Sequence, residues 1–254
     1  MKMRFILPVM FLIPLVVEGE ESLEFHVTNR LQIPADDGQQ GGATDGQFIY
    51  VQNSQQLFKY DLHGKMVMAG PERKLHHGGI VYAKGRVYAA VSGCDPNGTN
   101  QHYVHAYNAR SLALIEKYDV GTHFTVCAGG ITYRKGHFLV AESFFDDEHL
   151  DRIVEFDASF QHIKDYRIDF KSPYGIQGLE YLPGTDQFQI HSHGKVFYRI
   201  NGRFESNSLI VGHANFELQG LARLDAKTLI VNHRRAQTLE FVELVRQPDI
   251  RNQR

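Results

Sequence analysis

The chain has 254 residues, and its 27 Lys and Arg residues nearly balance its 29 Asp and Glu residues, which leaves a formal net charge of −2. A charge so close to balance provides no overall field for nucleic acid, so nucleic acid is excluded as an expected partner. The length suits one all-β domain, and we expect a monomer. Trp is absent, so the 12 Tyr and 17 Phe residues must supply the aromatic packing.

A basic and apolar segment opens the chain. Lys2 and Arg4 precede an apolar run over residues 5–17, and the small residue Gly19 follows it. A short apolar run with a basic front and a small-residue exit is typical of a secretory signal. The run is too short to cross a bilayer comfortably as a permanent helix. We therefore predict a signal peptide over residues 1–19, a secreted or periplasmic mature protein, and no integral membrane span.

One short phrase is repeated along the rest of the chain: a glycine and an apolar residue, then a turn, then an alternating strand. The five copies begin at Gly42, Gly79, Gly130, Gly178 and Gly220. Successive copies lie roughly 40 to 50 residues apart, the period of four-stranded propeller blades. The repeat therefore predicts an all-β fold, a five-bladed β-propeller of four-stranded antiparallel blades.

The two ends of the chain are predicted to close the ring. The fifth repeat ends after a third strand over residues 238–244, and the alternating segment 23–33 belongs to no repeat. An open ring would leave unpaired strand edges. We therefore predict that the N-terminal segment supplies the outer strand of the last blade, within a single domain over residues 20–246 that is followed by a tail over 247–254.

Polar side chains gather on one predicted face, because the loops leading into each first strand and those between the second and third strands lie on the same side. We call the opening of the central channel on this face the upper mouth. Neutral imidazoles are common metal ligands. The predicted ligands of one divalent cation (Ca, Zn or similar) in or near the channel are His77, His123, His191 and His213. Ordinary hydrogen-bonding histidines in loops are the alternative.

Further residues of this face are assigned to catalysis, to ligand binding and to a crosslink. Glu142 is the predicted carboxylate ligand or general base, with His77 and His213 orienting or protonating a substrate; a surface glutamate is the alternative. The predicted ligand-binding residues are Tyr174, Gln177, Gln219, Asn232 and Arg234. Export makes a disulfide between Cys94 and Cys127 chemically feasible, and two thiols, buried or metal-directed, are the alternative.

The blade openings carry a resemblance to a known group. Gln177-Gly178-Leu179-Glu180-Tyr181 and Gln219-Gly220-Leu221, together with the signal segment and the five repeats, resemble secreted five-bladed propellers of the glutaminyl cyclotransferase kind. The resemblance covers most of the chain and implies the fold. That group has a glutamate just before a blade-opening glycine and a pocket lined by tryptophans. This chain has no Trp. At the positions directly before its five blade-opening glycines, where that group has the glutamate, it has Gly41, Gly78, Gly129, Gln177 and Gln219.

Two classes of function follow from this site. In the first, the propeller binds a small polar ligand at the upper mouth and acts as a hydrolase, lyase or acyl-transferase, where a cation or Glu142 activates water or the substrate. In the second, it is a non-catalytic module that binds a carbohydrate, a peptide or a partner protein. Both classes expect a small-molecule or saccharide-like ligand, or a partner, on the same face.

Overall fold

The structure is a computed structural model that describes residues 22–34, 36–94, 100–144 and 148–247. Helical structure in these ranges is limited to two single 3-10 turns, Gly121–His123 and Ser206–Ser208. No helix in the described part of the chain has the length and apolar character needed to cross a membrane. The signal peptide predicted over residues 1–19 lies outside the described residues.

Three blades are separate four-stranded sheets, each with its strands antiparallel and in chain order. Their turns suit hairpins: Lys84 and Gly85, and likewise Lys135 and Gly136, have the positive φ pair that a two-residue hairpin turn requires. The bounds are Gly42–Thr44, Phe48–Gln52, Leu57–Asp61 and Met66–Ala69 (β2–β5, blade one); His76–Ala83, Arg86–Cys94, Asn100–Asn108 and Leu114–Asp119 (β6–β9, blade two); Ala128–Arg134, His137–Glu142, Arg152–Phe156 and His162–Arg167 (β10–β13, blade three).

Blades four and five are joined in one seven-stranded sheet. The bounds are Gly178–Leu182, Gln187–His191, Gly194–Asn201, Ile210–Arg223, Thr228–His233 and Thr238–Gln247 (β14–β19), with Ser22–Gln32 (β1) at the edge. The long strand β17 belongs to both blades. Its first half pairs with β16 as the outer strand of blade four, and its second half pairs with β18 as the inner strand of blade five.

The N-terminal strand closes the ring, as the sequence predicts. β1 runs antiparallel to β19 along its length, for example with Phe25 opposite Leu244, and so becomes the outer strand of blade five. It also pairs in parallel with β17, where Leu23 lies opposite Gly212. One strand therefore covers the edges of two blades, and the predicted five-bladed propeller is confirmed.

The hydrophobic core lies between the blades rather than at the centre of the ring. Five apolar clusters fill the five interfaces between neighbouring blades. Each contains a buried aromatic side chain, and representative members are Tyr50, Phe138, Phe188, Phe197 and Phe241. Because each blade buries side chains on both of its faces, no blade has a core of its own.

At the centre, glycines let the inner strands meet backbone to backbone. A Cβ atom added to Gly220 would lie 2.6 Å from the carbonyl carbon of Gly41 and 2.6 Å from the nitrogen of Gly42. One added to Gly79 would lie 2.8 Å from the Cα of Gly130. The space enclosed at this level leaves no room for a water molecule. The channel is therefore divided into an upper mouth, at the N-terminal ends of the inner strands, and a lower mouth at their C-terminal ends.

We expect the substitution Gly220→Ala to destabilise the propeller by roughly 3 kcal/mol, because the added methyl group meets backbone that can move only by separating blades. Urea unfolding measures the change. Gly184→Ala is the matched control: its added Cβ meets nothing within 4 Å, so a change within about 0.5 kcal/mol is expected. Equal stability of the two variants would contradict the close approach of the inner strands.

Candidate binding site at the upper mouth

Several polar side chains of the upper face join neighbouring blades. Each lies at or beside the end of a second strand and forms a hydrogen bond with backbone of the next blade. The pairs are Gln52 Nε2 to Gly78 O (2.5 Å), Ala128 N to Ser92 Oγ (2.8 Å), Ser143 Oγ to Ile176 O (3.1 Å) and Asn232 Nδ2 to Gly41 O (3.0 Å). Asn232, a predicted ligand-binding residue, is thus occupied by an inter-blade contact.

Glu142, the predicted general base, is enclosed by donors. Its side chain is fully buried and accepts hydrogen bonds from Arg152 Nε at 2.8 Å, Thr125 Oγ1 at 2.9 Å and Val126 N at 3.2 Å. The backbone N–H of Thr125 also donates to it. These contacts hold the segment that leads into β10, and they favour a structural role for Glu142 over the predicted catalytic one.

Two of the four predicted metal ligands are buried: His77 has a hydrogen-bond partner, and His191 has aromatic neighbours but no described hydrogen-bond partner. His77, on β6, has Nε2 2.7 Å from the hydroxyl of Tyr107, and burial lowers its pKa to about 4. His191 is fully buried, with its ring 5.7 Å from that of Phe25 and 6.1 Å from that of Phe197. Burial lowers the pKa of His191 to about 3. Both imidazoles are therefore neutral at physiological pH.

The other two predicted ligands lie elsewhere. The ring of His123 stacks on that of His162, with 4.6 Å between centroids. His213 is exposed on the outer half of β17, opposite Val196. The sequence interpretation placed His213 in a loop at the mouth, but β17 continues through this position without a loop. The structure does not bring the four imidazoles together, and the described residues contain no group of three His, Cys, Asp or Glu side chains that could hold a metal ion.

The structure does bring together Tyr174, Arg234 and a third side chain, His193. The rings of Tyr174 and His193 are 5.4 Å apart, and Arg234 Nη1 is 3.0 Å from His193 Nδ1. His193 was missed as a site residue, although it lies two residues beyond His191, at the point where β15 has ended. Its position in a strand-exit loop on the predicted face was the signal that could have identified it.

The contact with Arg234 fixes the state of His193. A guanidinium only donates, so Nδ1 accepts and the imidazole is neutral, with its proton on Nε2. Burial lowers the pKa of His193 to about 4, and Arg234 adds to this effect. Within the described residues, the buried Nε2 has no hydrogen-bond partner. A buried donor without a partner is uncommon in folded proteins.

Tyr174 projects from a tightly held loop. Its side chain is 62% exposed and its φ is +62°, a conformation that costs energy for a residue other than glycine. Gln177 Nε2 donates to the carbonyl of Tyr174 at 2.9 Å, so this predicted ligand-binding residue positions the loop. Gln219, also predicted, is buried and donates through Nε2 to Gln40 Oε1 at 3.1 Å.

The predicted crosslink between Cys94 and Cys127 involves a side chain that lies outside the described residues. β7 ends at Cys94, whose backbone pairs with Asn100. The pairing of the two cysteines therefore stays a prediction.

Neither a protein-family model nor a curated protein sequence matches the chain. Among solved structures, the chain is similar to the glutaminyl cyclase of Myxococcus xanthus, with a TM-score of 0.71 and 11% identity over 91% of this chain and 100% of that one. It is also similar to a structural genomics protein of unknown function from Bacteroides thetaiotaomicron, with a TM-score of 0.54 and 10% identity over 89% of this chain and 77% of that one. At such identities the similarity shows the fold alone.

We expect Glu142→Gln to lower the free energy of unfolding by roughly 3 kcal/mol, because Arg152 and the buried N–H groups lose a charged partner. Asp165→Asn is the matched control. Asp165 Oδ2 is 3.2 Å from Arg152 Nη1, but both side chains are partly exposed. Its removal should cost below about 1 kcal/mol. Chemical denaturation of both variants measures the difference, and a larger loss in the control would contradict the anchoring role.

Stability should fall with acidification, in part through His191. Its pKa is about 3 in the folded state and about 6.5 when unfolded. The stability it contributes is therefore complete above about pH 6.5 and is lost as the pH falls from there toward about 3. His191→Phe cannot titrate at this position, so it should take up about one proton fewer on unfolding than wild type does in this pH window. Its free energy of unfolding should therefore decline less steeply as the pH falls.

Urea midpoints between about pH 7 and about pH 4 test this expectation. His63→Phe, a change at an exposed ring, is the control and should retain the wild-type pH dependence. An identical pH dependence in His191→Phe and wild type would show that His191 does not contribute to acid sensitivity.

Proposed function

We propose that this propeller is a binding module that recognises a small anionic molecule, of the acidic saccharide class, at its upper mouth. The observation that carries the proposal is the cluster of Arg234, neutral His193 and exposed Tyr174. The Arg234 guanidinium has five N–H donors, and one of them is directed to His193. The others remain for a carboxylate, which a guanidinium binds through two parallel hydrogen bonds.

Tyr174 gives the cluster its preference for a ring-shaped ligand. An exposed aromatic ring provides a large contact surface and loses little conformational entropy on binding. The loop that holds it is fixed by the Gln177 contact and by the hydrogen bond from Gly175 N to Ser172 O at 3.1 Å. A fixed ring beside a fixed cation suits a sugar acid, whose flat face and carboxylate can be bound at the same time.

The geometry favours binding over the predicted hydrolase, lyase or transferase chemistry. Glu142 is enclosed by structural donors, and His77 and His213 lie in separate surroundings. The proposal therefore requires neither the Glu142 mechanism nor a divalent cation. The activity named for the Myxococcus xanthus neighbour belongs to that protein, and glutaminyl peptides serve here as a control substrate. With the predicted signal segment, the ligand would be met outside the cytoplasm.

A thermal-shift screen tests the proposal with glucuronate, galacturonate and sialic acid, because ligands that bind only the folded state raise its melting temperature. We expect at least one of them to bind. Arg234→Gln should lower the affinity for that ligand at least about tenfold, and Tyr174→Ala should lower it several-fold.

The neighbouring arginine supplies the control. Arg235 pairs with Glu217 at 2.8 Å instead of with His193, so Arg235→Gln should retain binding. Neutral glucose should bind less well than glucuronate. Equal loss of affinity in both arginine variants, or turnover of an N-terminal glutaminyl peptide with no saccharide binding, would overturn the proposal.

A further inference from the structure

The lower mouth of the channel contains a cavity of about 310 Å³. It is formed by the C-terminal ends of the five inner strands, on the other side of the glycine level from Tyr174 and Arg234. Its volume falls at the small end of the range for small-molecule pockets. None of the residues predicted from the sequence as a site lines it, so the cavity is distinct from the upper mouth.

The repeat itself shows which residues of this cavity are unusual. The third position of the five phrases is occupied by Thr44, Val81, Thr132, Glu180 and Ala222, and the fourth by Asp45, Tyr82, Tyr133, Tyr181 and Arg223. Glu180 is the one charged residue of the first set, and Arg223 is the one cation of the second. They belong to neighbouring blades, and both line the cavity.

The two side chains face each other without forming a hydrogen bond. Arg223 Nε is 3.7 Å from Glu180 Oε1, and no described residue is a hydrogen-bond partner of this buried Nε. Burial raises the pKa of Glu180 to about 8, and the positive charge of Arg223 offsets only part of this rise. Near neutral pH, Glu180 is therefore mostly a neutral carboxylic acid that can donate a hydrogen bond.

The other charged groups nearby are already engaged. Asp45 accepts hydrogen bonds from the backbone of its own turn, at 2.9 and 2.7 Å, and from the Tyr50 hydroxyl at 2.8 Å. Asp225, which faces Arg223 from the next turn, accepts two backbone N–H groups at 2.8 Å. The Tyr181 hydroxyl donates to Asp186, which also pairs with Lys135 at 3.1 Å. Among the described residues, Glu180 has the only carboxyl oxygen within 4 Å of an Arg223 guanidinium nitrogen, and the ionised Asp225 acts on Arg223 from a longer distance.

We propose that the lower mouth is a second binding site, specific for a small organic carboxylate held between the Arg223 guanidinium and the Glu180 carboxyl group. One ligand oxygen accepts from Arg223 and the other accepts from protonated Glu180. The rings of Tyr82 and Tyr133 form part of the wall around the ligand carbon chain. The site is independent of the proposed function, because the glycine level separates it from the upper mouth.

Isothermal titration with acetate, lactate and succinate tests this site at about pH 6 and about pH 9, on either side of the Glu180 pKa. At least one of these carboxylates should bind wild type, and at least about tenfold more tightly at the lower pH, because ionised Glu180 repels the ligand. Glu180→Gln retains a donor and cannot titrate, so it should bind with little dependence on pH. Arg223→Gln should bind the carboxylate at least about tenfold more weakly than wild type at the lower pH.

The matched control is Arg235→Gln, an exposed arginine that pairs with Glu217 and lies in neither proposed site; it should bind these carboxylates as wild type does. Arg234→Gln reports separately whether a carboxylate binds at the upper mouth instead. If Arg223→Gln does not fold, Arg223→Lys replaces it; it retains the charge without the two-pronged donor geometry and should still weaken binding. Three outcomes overturn the proposal: none of the carboxylates binds wild type, binding is lost in Arg234→Gln instead of the Arg223 variant, or Glu180→Gln retains the full pH dependence.

Discussion

The architecture depends on the contact between glycine backbones at the centre of the ring. Gly220 lies against Gly41 and Gly42, and Gly79 against Gly130, at distances where a side chain would overlap with backbone. Inner strands that approach so closely leave no water-sized passage. Because the centre is closed, the molecule has two separate mouths. Ligand binding on one face cannot draw on side chains of the other face, and each mouth must form its site from its own strand ends.

On the upper face, closure of the ring accounts for most of the polar side chains at the strand ends. Blades that meet through glycine have little side-chain contact at the axis, and side chains such as Gln52, Ser143 and Asn232 bridge them slightly farther out. Buried polar groups of this kind must find hydrogen-bond partners, and neighbouring backbone provides them. Polarity at the strand ends is therefore mostly a consequence of ring assembly. The groups of this face that a ligand can reach are those that assembly leaves exposed, as with Tyr174 and Arg234.

The sequence predicted the fold well and the site only in part, for physical reasons. Blade number and ring closure follow from glycine spacing and from an unassigned N-terminal strand, which are local patterns. The position of His213 depends on whether β17 bends or breaks, and the two cases have the same alternation of residues. The role of Glu142 depends on donors from Thr125 and Arg152, which only the folded chain brings together.

The two mouths use the same electrostatic arrangement in different surroundings. In each, an arginine lies beside a titratable group that burial keeps neutral: His193 beside Arg234 and Glu180 beside Arg223. A neutral neighbour leaves the guanidinium charge available, whereas an ionised carboxylate would compensate it. The upper pair includes an exposed arginine and suits a ligand that lies across the surface, whereas the lower pair lines a cavity of about 310 Å³ and suits a small ligand. At the lower mouth, the two charged residues that interrupt the repeated pattern, Glu180 and Arg223, are therefore the ones that we propose to bind a ligand.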